Sequence, residues 1–225
     1  MKVDFGKEAI AHTLAETLLA HPVVCLHGAD ALALTALAVT SVLDVAVRGR
    51  KTVYIACEGE WQVSATLARL GKARQLGQVK GLFVLSQSVD LLKARNVDNL
   101  AQMIARKVGR PDLLVLDCLA YCFGADELNP AAMDAFVAHL HRLQELTGAR
   151  VLLLHRTGAA GVRGSRSTAE PPARLARIDL AGGASLAAAP PSAADDTMEP
   201  VPIGGTPVRR TRAHEHDKDT RVWTQ

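Results

Sequence analysis

The chain has 225 residues, 48% hydrophobic and 22% charged, with a formal net charge of +3. That length and balance suit one globular domain with a buried core, and so small a positive charge does not by itself imply a nucleic-acid partner. No run approaches the roughly 18–20 continuous apolar residues of a transmembrane helix, and no signal peptide is visible at Met1–Asp4, so no membrane partner is expected and the cytoplasm is the expected location.

In chain order, short apolar runs alternate with helical patterns. Val23–Leu26, Val53–Ala56, Leu82–Leu85, Leu113–Leu116 and Val151–Leu154 read as buried strands. Lys7–Ala20, Ala33–Val47, Trp61–Leu70, Asn96–Lys107 and Pro130–Leu146 read as helices between them. The alternation predicts an α/β fold with a mostly parallel central sheet and helices on both faces. Strands that are apolar throughout agree with a sheet covered on both sides. The last helix has the clearest ends. Asn129 is placed to cap it, Pro130 fits its first turn and Gly148 fits its C-terminal cap. Arg174–Leu180 is a candidate sixth strand.

After Gly182 the composition turns to Ala, Gly, Pro, Ser and Asp. Residues 1–182 therefore read as one domain, and 183–225 as a loosely ordered tail of mixed charge. Cys25, Cys57, Cys118 and Cys122 read as reduced, buried thiols; no zinc-ligand spacing accompanies them.

The candidate chemistry gathers at strand ends. A phosphate-binding loop follows a strand, cradles phosphate with backbone N–H groups, and supplies a lysine and a magnesium-ligating hydroxyl in the pattern GxxxxGK[ST]. Gly28–Thr35 fits that frame without a gap, Gly28 at the first glycine and Thr35 at the hydroxyl. Ala33 stands at the second glycine, Leu34 at the lysine, and Asp30 adds a negative charge. Read alone, this loop is an ordinary strand-to-helix connection. Glu58 follows the second strand, where a carboxylate can orient a water or simply charge a helix N-terminus. Leu113–Asp117 has the apolar-then-Asp form of a Walker B strand, which supports magnesium. His155 ends the fifth strand, as a phosphate sensor or a polar cap. Arg163 and Arg166 lie in the Gly/Ser-rich loop beyond it, as arginine fingers or plain loop charges.

In this order the pieces resemble the RecA/DnaB-like ATPases, specifically the RepA-type plasmid replicative helicases among the AAA family ATPases of mobile elements. The resemblance is carried by Val23–Thr35, Tyr54–Gly59, Leu113–Leu119 and Val151–Gly158 with the Gly161–Ser167 loop, within about residues 20–180. It implies a RecA-like P-loop-type domain that binds ATP and magnesium. It also implies a homo-oligomer, or a mixed complex with a related ATPase, acting on single-stranded DNA. By the same resemblance Thr35 and Asp117 correspond to the magnesium residues, Glu58 to the catalytic glutamate, His155 to the sensor and Arg166 to an arginine finger.

The departures fall on phosphate binding: Ala33, Leu34, Ala159, and Arg156 in place of a frequent second histidine. Losing the lysine removes an electrostatic contribution of several kcal/mol to the transition state. Three functions follow from this. The first is a RecA-fold protein with weakened or lost hydrolysis in DNA replication or recombination. The second is an active ATPase or helicase whose missing cation is supplied by Arg156 or a neighbouring subunit. The third is a non-catalytic DNA- or protein-binding scaffold.

Overall fold

The computed structural model describes residues 14–58, 60–77, 79–125, 129–157 and 175–180. Residues 14–20 are helical and lead into β1 (Val23–Gly28). Then come α1 (Ala31–Val47), β2 (Thr52–Ala56), α2 (Trp61–Ala73), β3 (Leu82–Leu85), α3 (Ala94–Lys107), β4 (Leu113–Asp117), the short α4 (Leu119–Cys122), α5 (Pro130–Thr147), β5 (Arg150–Arg156) and β6 (Ala176–Asp179). The strands form one sheet in the order β3-β2-β4-β5-β1-β6, and every neighbouring pair is parallel. The sheet is thus parallel throughout among the described residues, not only mostly so.

The pleat divides the core in two. Successive strand residues point to opposite faces. Cys25, Val53, Ile55, Leu114, Leu116, Val151 and Leu153 pack with α3 and α5. Val24, Leu26, Tyr54, Leu113, Val115, Leu152 and Leu154 pack with α1, Leu14 and Leu18 on the other face. Both faces are therefore covered, which is why these strands carry no polar alternation.

The ends of α5 follow local rules. Asn129 accepts from the N–H groups of Ala131 and Ala132, and Gly148 takes the left-handed conformation at φ 70° that glycine adopts without strain. Between these ends Phe136 is fully buried and meets Phe123 edge to face at 5.2 Å. Phe136→Ala is expected to lower the unfolding free energy by about 3–5 kcal/mol in urea titrations, from lost burial plus a cavity.

Many element ends differ from the sequence expectation by one to three residues. The sixth strand is shorter, Ala176–Asp179. The α4 turn has no counterpart in the sequence reading, because its four residues are too few to show a periodicity. One shift matters for the site: α1 begins at Ala31, not at Ala33. Asp30 is its N-cap, and its carboxylate accepts from the Ala33 N–H at 3.0 Å. Only Ala29 and Asp30 connect strand to helix. The reading of residues 7–13 as helix, and of 183–225 as a tail, lies outside the described residues.

Candidate functional site

Ligands of open parallel sheets bind beyond the carboxyl ends of the strands, where the chain order reverses. The register aligns those ends here. Ala56 pairs with Asp117, Asp117 with Leu154, and Gly28 with Arg156. The pleat then selects side chains. Tyr54, Ala56 and Glu58 fall on one face of β2 and its exit. Asp117 shares that face on β4, and Arg156 on β5 two residues beyond Leu154, which packs there with α1. Thr35 projects from the first turns of α1 toward the same place.

A continuous polar network joins them. Asp117 Oδ2 accepts from Tyr54 Oη at 2.6 Å and from Thr35 Oγ1 at 3.3 Å. Its Oδ1 accepts from Arg156 Nη2 at 3.3 Å. The other nitrogen, Arg156 Nη1, donates to Glu58 Oε2, and Tyr121 Oη donates to Glu58 Oε1 at 2.9 Å. One guanidinium therefore bridges the two carboxylates assigned to hydrolysis and to magnesium by resemblance. A guanidinium suits this role because it is planar, always charged and carries several donors.

Burial sharpens the electrostatics. Asp117 is 4% exposed and Thr35 1%. Burial pushes the Tyr54 phenol well above its usual range, and the Asp117 charge adds to that, so Tyr54 stays a hydrogen-bond donor. Burial lifts the Cys118 thiol to about 12, so it is neutral beside Arg156. For Arg156, burial works against the charge, and the surrounding Cys118, Asp117 and Glu58 outweigh it, leaving its pKa raised. With Cys118 protonated, the carboxylates are what hold the cation.

The positions of the phosphate-loop frame are occupied differently. Leu34 is fully buried among Val24, Leu26, Leu37, Ala38 and Tyr54. Its side chain belongs to the core on the α1 face of the sheet. Ala33 is the residue whose N–H Asp30 takes. Gly28 has a packing reason to be glycine: a Cβ there would lie 2.8 Å from Leu180 Cβ, just past β6.

His155 falls on the opposite face of the sheet from Asp117. It is buried, on the face of Leu153 and next to His27, its register partner. His27 in turn pairs in register with Asp179. Burial lowers the His27 pKa, Asp179 opposes that, and the His155 and Arg177 charges add to it. Arg163 and Arg166 lie outside the described residues.

Tyr54, Tyr121 and the bridging role of Arg156 were not read from sequence. For Tyr54 a signal existed: a phenol inside a fully apolar strand must find a hydrogen-bond partner. Tyr121 and Arg156 have no comparable local signal. Their partner Glu58 lies 63 and 98 residues away.

The AAA domain family AAA_25 matches residues 23–162, more than half of the chain. The matched span starts with β1 and takes in Thr35, Glu58, Asp117 and Arg156. No curated protein matches the chain. A six-stranded parallel sheet with helices on both faces and polar residues at its strand ends is what such a domain requires: the chain belongs to the AAA domain family AAA_25, of the P-loop ATPase type.

Proposed function

We propose that this chain is a RecA-fold AAA domain, akin to the RepA-type replicative helicases, that has lost ATP hydrolysis. On this reading it serves DNA replication or recombination as a structural or regulatory subunit. The observation that carries it is the Arg156 guanidinium between Glu58 and Asp117. A water-activating glutamate must reach water, and a magnesium-supporting aspartate must face the ion's shell. Here both carboxylates already share one cation from within the chain.

The fit to a nucleotide supports the same reading. Thr35 and Asp117 are the residue types that surround magnesium, but they are bonded to each other. The helix N-terminus offers part of its N–H set to Asp30. No lysine stands in the frame, and Leu34 is committed to the core. These residues do not fit a firmly held nucleoside triphosphate.

The rim favours a partner. Leu32 is 68% exposed in the first turn of α1, and Trp61 is 70% exposed at the first residue of α2. Both helices start at the carboxyl end of the sheet. Large apolar side chains in solvent beside a site are typical of contact surfaces. A second copy, or a related lysine-bearing ATPase, is the partner this reading implies, with single-stranded DNA as the shared ligand.

Arg156 also favours the active-enzyme reading, which rests besides on the retained Thr35, Glu58, Asp117 and Arg166, since it is a cation near the place of the missing lysine. Calorimetric titration of magnesium and ATP into the full chain, paired with phosphate release, separates the two. The expected result is no binding at millimolar nucleotide and no turnover. Magnesium-dependent turnover abolished by Glu58→Gln would overturn the proposal.

A further inference from the structure

The face of the sheet opposite the Arg156 network holds a second chemical feature. Cys57 Sγ and Cys122 Sγ lie 3.1 Å apart. Cys57 follows β2 and Cys122 ends α4, so the chain brings together thiols 65 positions apart. Both belong to the core on the α3 and α5 face of the sheet, together with Leu91, Leu119 and Phe123. They are not equivalent. Cys57 retains 8% exposure and Cys122 has none. The Cys122 thiol is held well above its usual range, first by its hydrogen bond to Cys57 and then by burial. Either thiol can donate across this contact.

We propose that Cys57 and Cys122 form an oxidation-sensitive pair that closes reversibly to a disulfide when the chain meets a peroxide. The less deeply buried partner, Cys57, reacts first. Cys57 sulfur attacks one peroxide oxygen and the O–O bond breaks. Cys57 becomes a sulfenic acid, and its thiol proton leaves with the departing oxygen as water. Cys122 sulfur then attacks Cys57 sulfur and loses its proton, and the S–OH bond breaks to release a second water. The two sulfurs together give up two electrons, and the peroxide takes them. A thiol reductant reverses the step by exchange.

The position of the pair gives the bond a consequence. Cys57 immediately precedes Glu58, and Cys122 immediately follows Tyr121. Tyr121 donates to Glu58 across the same gap. A disulfide would fasten the two segments that carry this contact, from the opposite side of the sheet. Cys118 is placed differently: it belongs to the core on the α1 face and lies beside Arg156. The proposal does not depend on whether ATP is hydrolysed.

The test treats the purified full chain with a small excess of hydrogen peroxide. Mass spectrometry of the intact chain and of its tryptic peptides follows, with thiol counting after denaturation. The expected product has lost two hydrogens, retains two of its four thiols, shows a Cys57–Cys122 cross-linked peptide and melts at a higher temperature. Dithiothreitol reverses all of this. Cys118→Ala is expected to leave the cross-link intact. In Cys122→Ala, Cys57 should instead accumulate a sulfenic acid that dimedone traps. Four unchanged thiols, a cross-link through Cys118, or irreversible oxygen addition at Cys57 in the wild-type chain would each overturn the proposal.

Discussion

Leu34→Lys is expected to destabilise the protein by about 3–5 kcal/mol and to leave nucleotide binding unrestored. In the linear frame this substitution rebuilds the phosphate-loop lysine. In the fold it inserts an ammonium group where a fully buried leucine packs against Tyr54 and the strands. The lost apolar contacts and the desolvated charge both count against the folded state. The charge term gives the effect a pH signature. Burial depresses a lysine pKa, so the unfolded chain binds more protons than the folded one. The deficit is full below the depressed folded value. It shrinks as pH rises from there toward the ordinary lysine value of about 10.4. Urea titrations of both proteins at pH 7 and pH 9.5 read this directly. A variant as stable as the wild type at pH 7, and newly able to bind ATP, would mean that the start of α1 opens into a phosphate loop. Adding Ala33→Gly is expected to deepen the loss, because glycine weakens a helix that already starts at Ala31.

Arg156→Ala is expected to cost about 2–3 kcal/mol, and to make the fold responsive to magnesium. The two halves of the bridge differ in weight. Glu58 is 42% exposed in its side chain, so solvent screens its pairing and little stability rests there. The Asp117 side chain is only 5% exposed, so most of the cost comes from leaving it without a cation. Tyr54 and Thr35 would still donate to it, which keeps the loss below that of a fully orphaned charge. Thermal melts should then rise with millimolar magnesium in the variant and stay flat in the wild type, whose carboxylates are already paired. Arg156→Lys should fall between them, since an ammonium cannot bridge two carboxylates with a fixed fork. A variant that melts with the wild type would show that the bridge contributes nothing.

Much of the architecture was legible because it is local. The strands declared themselves as unbroken apolar runs, which only a sheet covered on both faces requires. The caps of α5 could be placed from Asn129, Pro130 and Gly148, since each acts on its own backbone. The frame from Gly28 to Thr35, the Walker B form ending at Asp117, and Glu58 after β2 were visible as strand-end residues in a fixed order. The inward face of Leu34 was legible in principle as well. Leu34, Leu37, Ala38 and Val42 share one helical stripe.

The sequence by itself determined the long helices, the strands, their order and the α/β class with a mostly parallel sheet, because propensity, periodicity and capping act within a few residues. Only the tertiary structure decided what the strand-end residues do. The register of β1, β5, β4 and β2, together with the pleat, puts Thr35, Glu58, Asp117 and Arg156 on one face. The same pleat puts His155 beside His27, and Cys57 against Cys122, on the other. The physical reason is that charge pairing and thiol contact depend on distance in space. Partners separated by tens of residues meet only after the sheet has fixed which neighbour each strand has and which way each side chain points.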